Sequence, residues 1–200
     1  MVACRGRWED AHLAGSDLSG AQLVGPRLAG ADLSGANLSG ANLAGVHLLD
    51  ADLSGADLSG AILSGAILSG TDLSGATLTG AYLTATSLHG VNLQGACLAR
   101  ANLRGSSLYR ANLTHTDRTG ADISTPTLKH TALIGATLTG AKLLDLTDLE
   151  EVTWSKATLW GRYHDEALKR STPLGRGRYK LNPPDGTSLD GPTLLPRLPV

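Results

Sequence analysis

The sequence predicts an all-β fold in which the chain turns every five residues and stacks on itself, and three observations carry that prediction. From Leu13 to Leu143 a leucine recurs at every fifth position with no inserted or deleted residue, broken only by Arg118 and Ile123. Most of those units close on Gly. The 200 residues include 25 Gly, one Met and no Phe, too few large apolar groups for a conventional globule but enough for a narrow tube lined by Leu and Ala. A helix advances ~100° per residue, so a step of five would wind the leucines around its whole circumference. On one straight strand an odd step would throw successive leucines to opposite faces. Neither element can continue, so the chain must turn once per unit.

The stretch 31–45, ADLSGANLSGANLAG, shows the unit: a small residue, Asp or Asn, Leu, a small polar residue, Gly. Ala31 and Leu33 are expected to point inward and Asp32 outward, with Gly35 at a corner that favours positive φ. Fixing five residues costs about 5 to 10 kcal/mol of backbone entropy. Burying one Leu returns only about 1.5 to 3 kcal/mol. A single unit therefore cannot stand alone, whereas stacked coils bury their leucines against one another and pair their backbones.

The A(D/N)LSG register resembles the pentapeptide-repeat family across roughly residues 6 to 161. That resemblance implies a right-handed, four-sided β-helix with four units per coil, so residues twenty apart would stack. After Leu143 the register slips by one residue and resumes as TDLEE, VTWSK and ATLWG, with Leu149, Trp154 and Leu159 expected inward.

An open β-helix exposes ladder edges at both ends and needs caps. Trp8 is placed to close the first coil, and Trp154 and Trp160 to seal the last. Residues 1–161 are read as the solenoid and 162–200 as a C-terminal cap, with a short helix over 162–171 and an irregular Pro- and Gly-rich tail over 172–200. On that reading, removing 172–200 leaves a folded rod. Cys4 and Cys97 make no disulfide framework, and Cys97, at an outward position, is read as a free thiol. The chain has no run of 18 or more apolar residues, and its first nine residues lack an apolar core. The expectation is a cytosolic protein without membrane contact.

Stacking by twenties sorts the outward positions. Asp32, Asp52 and Asp72 form one column, continued by Asn92 and Asn112, beside Asp17, Asn37 and Asp57 on the next side. Two readings stand. The carboxylates either bond backbone near the corners, or form a negative stripe imitating nucleic-acid phosphates, as the resemblance to gyrase-protecting family members implies. Charge also sorts along the axis: residues 1–99 carry 3 Lys plus Arg against 8 Asp plus Glu, and residues 100–146 carry 6 against 3. A mimic should be acidic over most of its length, so this polarity weighs against mimicry.

Leu49, Ile62, Ile67 and Tyr82 occupy outward positions on adjoining sides and form a candidate contact surface. His89, Tyr109 and Lys129 stack, flanked by Arg110 and His130, in a patch suited to an anion or an acidic partner. Arg118 stands at an inward position, where an unpaired guanidinium is costly. A local bulge is expected there, in a weak segment of about 114–130 that includes His115, Thr125, Pro126 and His130.

No catalytic or metal-binding constellation is apparent among the six histidines, and a filled tube offers no internal cavity. No cofactor is implied. Basic residues interleaved with aromatics are too sparse for direct nucleic-acid binding. The reading is a non-enzymatic, rigid interaction or scaffold module for an unidentified protein partner. The alternative is a DNA mimic that binds a type II topoisomerase and protects it from poisons such as quinolones. A homodimer through the C-terminal coil and the 162–171 segment would double the rod and favour that alternative.

Overall fold

The computed structural model describes residues 8–123, 128, 130–137, 149 and 151–182. From His12 to Asn102, and again at Asn112 and Asp117, the outward residue forms a parallel bridge with the residue twenty further on: His12 with Asp32, Asp32 with Asp52, Asp52 with Asp72, and so on along the shaft. Twenty residues are four units, so the solenoid has four sides. The first side carries Asp32, Asp52 and Asp72, the second Asp17, Asn37 and Asp57, the third Asn42, Ile62 and Tyr82, and the fourth His47, Ile67 and Ser87.

The unit works because every backbone N–H in it finds an acceptor. In the second coil the Asp32 N–H donates to Ala11 O at 2.9 Å, Leu33 to Asp52 O at 2.7 Å and Gly35 to Ser54 O at 2.8 Å. Across the corner Ala36 N–H donates to Leu33 O at 3.0 Å. The remaining donor, Ser34 N–H, is outside the ladder and is taken by Asp32 Oδ1 at 3.0 Å. The Asp or Asn at the second position thus completes the backbone accounting.

Inside, the Leu and Ala positions are buried from Leu28 onward, while Ala11, Leu13, Leu18 and Ala21 of the first coil are half-buried. Where Thr replaces Ala, its hydroxyl reaches back to a carbonyl of the coil below: Thr71 to Leu48 O at 2.7 Å and Thr86 to Leu63 O at 2.9 Å. Corner glycines lie at positive φ, as do the residues replacing them at Asp50, Ala85, Arg100, Arg110, His115 and His130. Asp50 and His115 fill the space over the next coil's corner glycine. A Cβ on Gly70 would run into the Asp50 carboxylate, and one on Gly135 into the His115 ring.

Three expectations are corrected. Arg118 makes no bulge: its N–H donates to Thr137 O at 3.0 Å and Asp117 bridges Thr137, so the ladder runs through it in register. Its side chain is fully buried, and none of its three guanidinium nitrogens has a hydrogen-bond partner among the described residues. The ladder hydrogen bonds of the backbone hold the register regardless of which side chain points inward. Thr125 and Pro126 lie outside the described residues.

The second correction concerns the end of the shaft. Leu149 and Trp154 are buried as expected, but Leu159 is exposed and Thr158 and Trp160 are buried instead. Ala132 bridges Thr153 and Thr137 bridges Leu159, so one residue is inserted before Thr153 and a second between Thr153 and Leu159. The Thr158 hydroxyl still finds its carbonyl below, Leu133 O at 2.6 Å. Placing the large indole of Trp160 inward buries more apolar area than Leu159 would.

The third concerns the tail. Strand β1 (Thr153–Ser155) is followed by a 3₁₀ turn (Gly161–Tyr163), helix α1 (His164–Lys169), and strands β2 (Ser171–Gly175) and β3 (Arg178–Leu181). Residues 171–181 are therefore a hairpin, not an irregular tail. Arg176 and Gly177 both have positive φ, the requirement of a two-residue turn matched to strand twist. The three strands form an antiparallel sheet in the order β1-β3-β2. The remainder of the tail, 183–200, and Cys4 lie outside the described residues.

Candidate functional site

The Asp column is where stacking places it, with Asp32, Asp52 and Asp72 on successive rungs. Its carboxylates are occupied by the fold: Asp52 Oδ1 accepts from Ser54 N–H and Asp72 Oδ1 from Ser74 N–H, both at 2.8 Å. Asn92 Nδ2 also donates to Asp72 Oδ1 at 3.1 Å. The Ser34 hydroxyl and amide hold the Asp32 carboxyl below the usual carboxylate range, and the Ser19 amide and hydroxyl do the same for Asp17. These bonds favour the charged form, so both carboxylates serve as permanent acceptors at the corners.

The apolar group stands on the third and fourth sides. Ile62 bridges Tyr82 directly, Ile67 occupies the next unit of Ile62's coil, and Leu49 lies one coil below on the fourth side. Ile62 is 38% exposed, Ile67 36%, Leu49 46% and Tyr82 52%. Ile at these positions has no oxygen to accept the orphan corner N–H, so each substitution gives up a bond worth about 1 kcal/mol. Val24, exposed at a third-side corner two coils below Ile62's, was missed; the signal was an apolar residue where Ser, Thr or Ala is usual.

The basic patch forms around Tyr109. Its ring meets His89 edge-on at 5.8 Å and His130 at 5.4 Å between centroids, and the Arg110 guanidinium lies 5.2 Å from its centre. His89 Nε2 and Ser107 Oγ share a hydrogen bond at 2.6 Å. Lys129 lies outside the described residues.

The first two sides carry six outward aspartates, Asp17, Asp32, Asp52, Asp57, Asp72 and Asp117, with Arg100, His12 and His115. The other two carry Arg27, Arg104 and Arg110 with His47, His89 and His130, and also Asp10, Asp50 and Asp122, so the first two sides are the more acidic. Among the described residues, no group of three or more His, Cys, Asp or Glu could hold a metal ion, and no helix is long and apolar enough to cross a membrane. Cys97 is a free thiol.

Residues 27–65, 66–105 and 86–125 match the family model described as pentapeptide repeats, in 8 copies. Among solved structures, one similar chain is HetL, a pentapeptide repeat protein involved in heterocyst differentiation regulation from the cyanobacterium Nostoc. It is 34% identical, with 72% of this chain and 67% of that chain covered and a TM-score of 0.48. A pentapeptide repeat protein from the Arabidopsis thaliana thylakoid lumen is 32% identical over 56% of this chain and 68% of that chain, with a TM-score of 0.32. QnrB1, a plasmid-mediated fluoroquinolone resistance protein, is 23% identical over 70% of this chain and 72% of that chain, with a TM-score of 0.37. No curated protein matches the chain.

Proposed function

This chain belongs to the pentapeptide-repeat family, and on that footing we propose that it is a non-enzymatic, rigid, right-handed rod that binds a protein partner through its apolar side surface. The observation that carries this reading is the cluster of Leu49, Ile62, Ile67 and Tyr82 on neighbouring coils. Ile62 and Ile67 each forfeit a corner hydrogen bond that Asp or Asn would make, and both leave more than a third of their surface in water. An external contact that covers them recovers that area.

The test is capture of the partner from the native host by the full chain, with Ile67→Ser and Tyr82→Ser compared with the parent. Each substitution is expected to weaken capture about tenfold, since each removes about 1.4 kcal/mol or more of buried contact. Unchanged capture by both variants would remove the assignment.

The second reading, a DNA mimic that engages a type II topoisomerase, has one observation in its favour: the three carboxylates at successive rungs. Against it, one oxygen of each is engaged at its corner and the column becomes Asn92 and Asn112. The expected outcome is weak or absent protection of gyrase from a quinolone. Strong protection that fades with salt and disappears in the Asp32, Asp52, Asp72 triple Asn variant would reverse the order of the two readings.

A further inference from the structure

We propose that the corner formed by His89, Ser107, Tyr109, Arg110 and His130 binds a phosphoryl dianion. This deepens the interaction-module reading by giving a second contact and its chemistry. It stands on residues separate from the apolar surface, so either can fail alone.

The geometry converges from three successive coils. Tyr109 sits edge-on between the two imidazoles, and the Arg110 guanidinium lies against the same ring. Stacking of this kind holds a guanidinium in place before any ligand arrives, which lowers the entropy lost on binding. Arg110 supplies a permanent charge and a planar set of donors that matches phosphate oxygens. The imidazoles add ring N–H donors on either side of Tyr109, and Ser107, bonded to His89 Nε2 at 2.6 Å, adds a hydroxyl.

The surroundings are arranged for an anion. On the first side, next to this corner, the acidic column stops at Asp72 and continues as Asn92 and Asn112 beside the cluster. Asp72 itself is taken up by Ser74 N–H and Asn92 Nδ2. On the cluster's own corner the nearest carboxylate below is Asp50, two coils beneath His89, with its oxygen reaching the level of Gly70. Above His130 stands Glu151, which pairs with Lys180 at 2.7 Å. The third side contributes Arg104 and Asp122 at these levels, and the second side, across the section, carries Asp17, Asp57 and Asp117, which turn that surface away from an anion.

The test follows the histidine ring signals of the full chain by NMR during titration with inorganic phosphate and, separately, with a phosphoserine peptide. His12 and His47 serve as internal controls elsewhere on the shaft. Saturable shifts confined to His89 and His130 are expected. Arg110→Gln should weaken binding about tenfold with unchanged thermal stability. His89→Gln with His130→Gln should also weaken binding about tenfold, because it removes the ring donors on either side of Tyr109. Tighter binding of the peptide assigns the dianion to a protein partner and equal binding to a free phosphate, and both uphold the site. No shift, equal shifts at His12 and His47, or binding that survives Arg110→Gln would overturn it.

Discussion

At the scale of single residues, the second position of the unit explains itself by one hydrogen bond. Asp32, Asn37, Asp52 and Asp57 each accept the N–H two residues on, at 3.0, 3.1, 2.8 and 2.9 Å. Because these bonds lower the carboxyl pKa of Asp17 and Asp32 in the folded chain, they contribute stability above the unfolded pKa. That contribution is lost as pH falls below about 4. Urea unfolding of the parent is expected to weaken over that range, and the Asp17→Asn, Asp32→Asn double variant to lose less, because Asn accepts the same bond at any pH. The fifth position is governed by φ. Ala85 sits at φ 54° and Gly55 at 64°, and a Cβ on Gly55 would meet nothing within 4 Å. Ala85→Gly should therefore stabilise, and Gly55→Ala destabilise, by about 1 kcal/mol each, as read from unfolding midpoints.

At the scale of elements, the C-terminal hairpin solves the edge problem that every open solenoid has. Thr153 in β1 bridges Ala132 below it, and β1 pairs antiparallel with β3, so the last rung of the first side is covered. Trp154 anchors the arrangement. Its ring stacks on Tyr179 at 4.6 Å, its indole N–H donates to Ser171 Oγ at 2.8 Å, and Ser171 donates onward to Ala167 O at 2.6 Å. The new edge, β2, is blunted by Pro173 and by an irregularity between Pro173 and Gly175. Ending the chain after Asn182 should leave a folded, monodisperse rod. Ending it after Ser171 strips β3 from β1 and uncovers Trp154, so aggregation or a large drop in melting temperature is expected by light scattering and circular dichroism. A monodisperse protein of unchanged melting temperature after the shorter cut would contradict the capping role.

At the scale of the whole molecule, stability is a sum over neighbouring coils, so one bad coil is felt by those stacked on it. Arg118 is that coil's defect: burial alone pushes its guanidinium down to about 9. Below that pH the folded rod encloses a charge that the unfolded chain keeps in water, and the cost is full. As pH rises through it, the folded state gives up a proton that the unfolded chain retains, and stability increases. Arg118→Leu, which restores the inward leucine, is expected to stabilise by about 3 kcal/mol at neutral pH. The advantage should shrink above pH 9, the direction set by the burial-lowered pKa. Equal unfolding midpoints for the two proteins at neutral pH would mean that the guanidinium is solvated or paired.

The sequence by itself determined the period and the inward and outward positions from Leu13 to Ile123. It could do so because an unbroken five-residue register makes each residue's environment depend only on its place in the unit and on the coils next to it. The columns on which Asp32, Ile62 and Tyr109 stand need four units per coil, which the family resemblance implied and the bridges twenty residues apart show. Tertiary structure decided what the register does not encode. Two inserted residues exchange Leu159 for Trp160, since a larger buried ring outweighs local spacing. A segment without periodicity becomes β2 and β3, since strand pairing depends on the free edge of β1 that only the stacked coils create. His89, Tyr109 and His130 meet as one cluster only because ring orientation across coils, unlike position along the chain, is a property of packing.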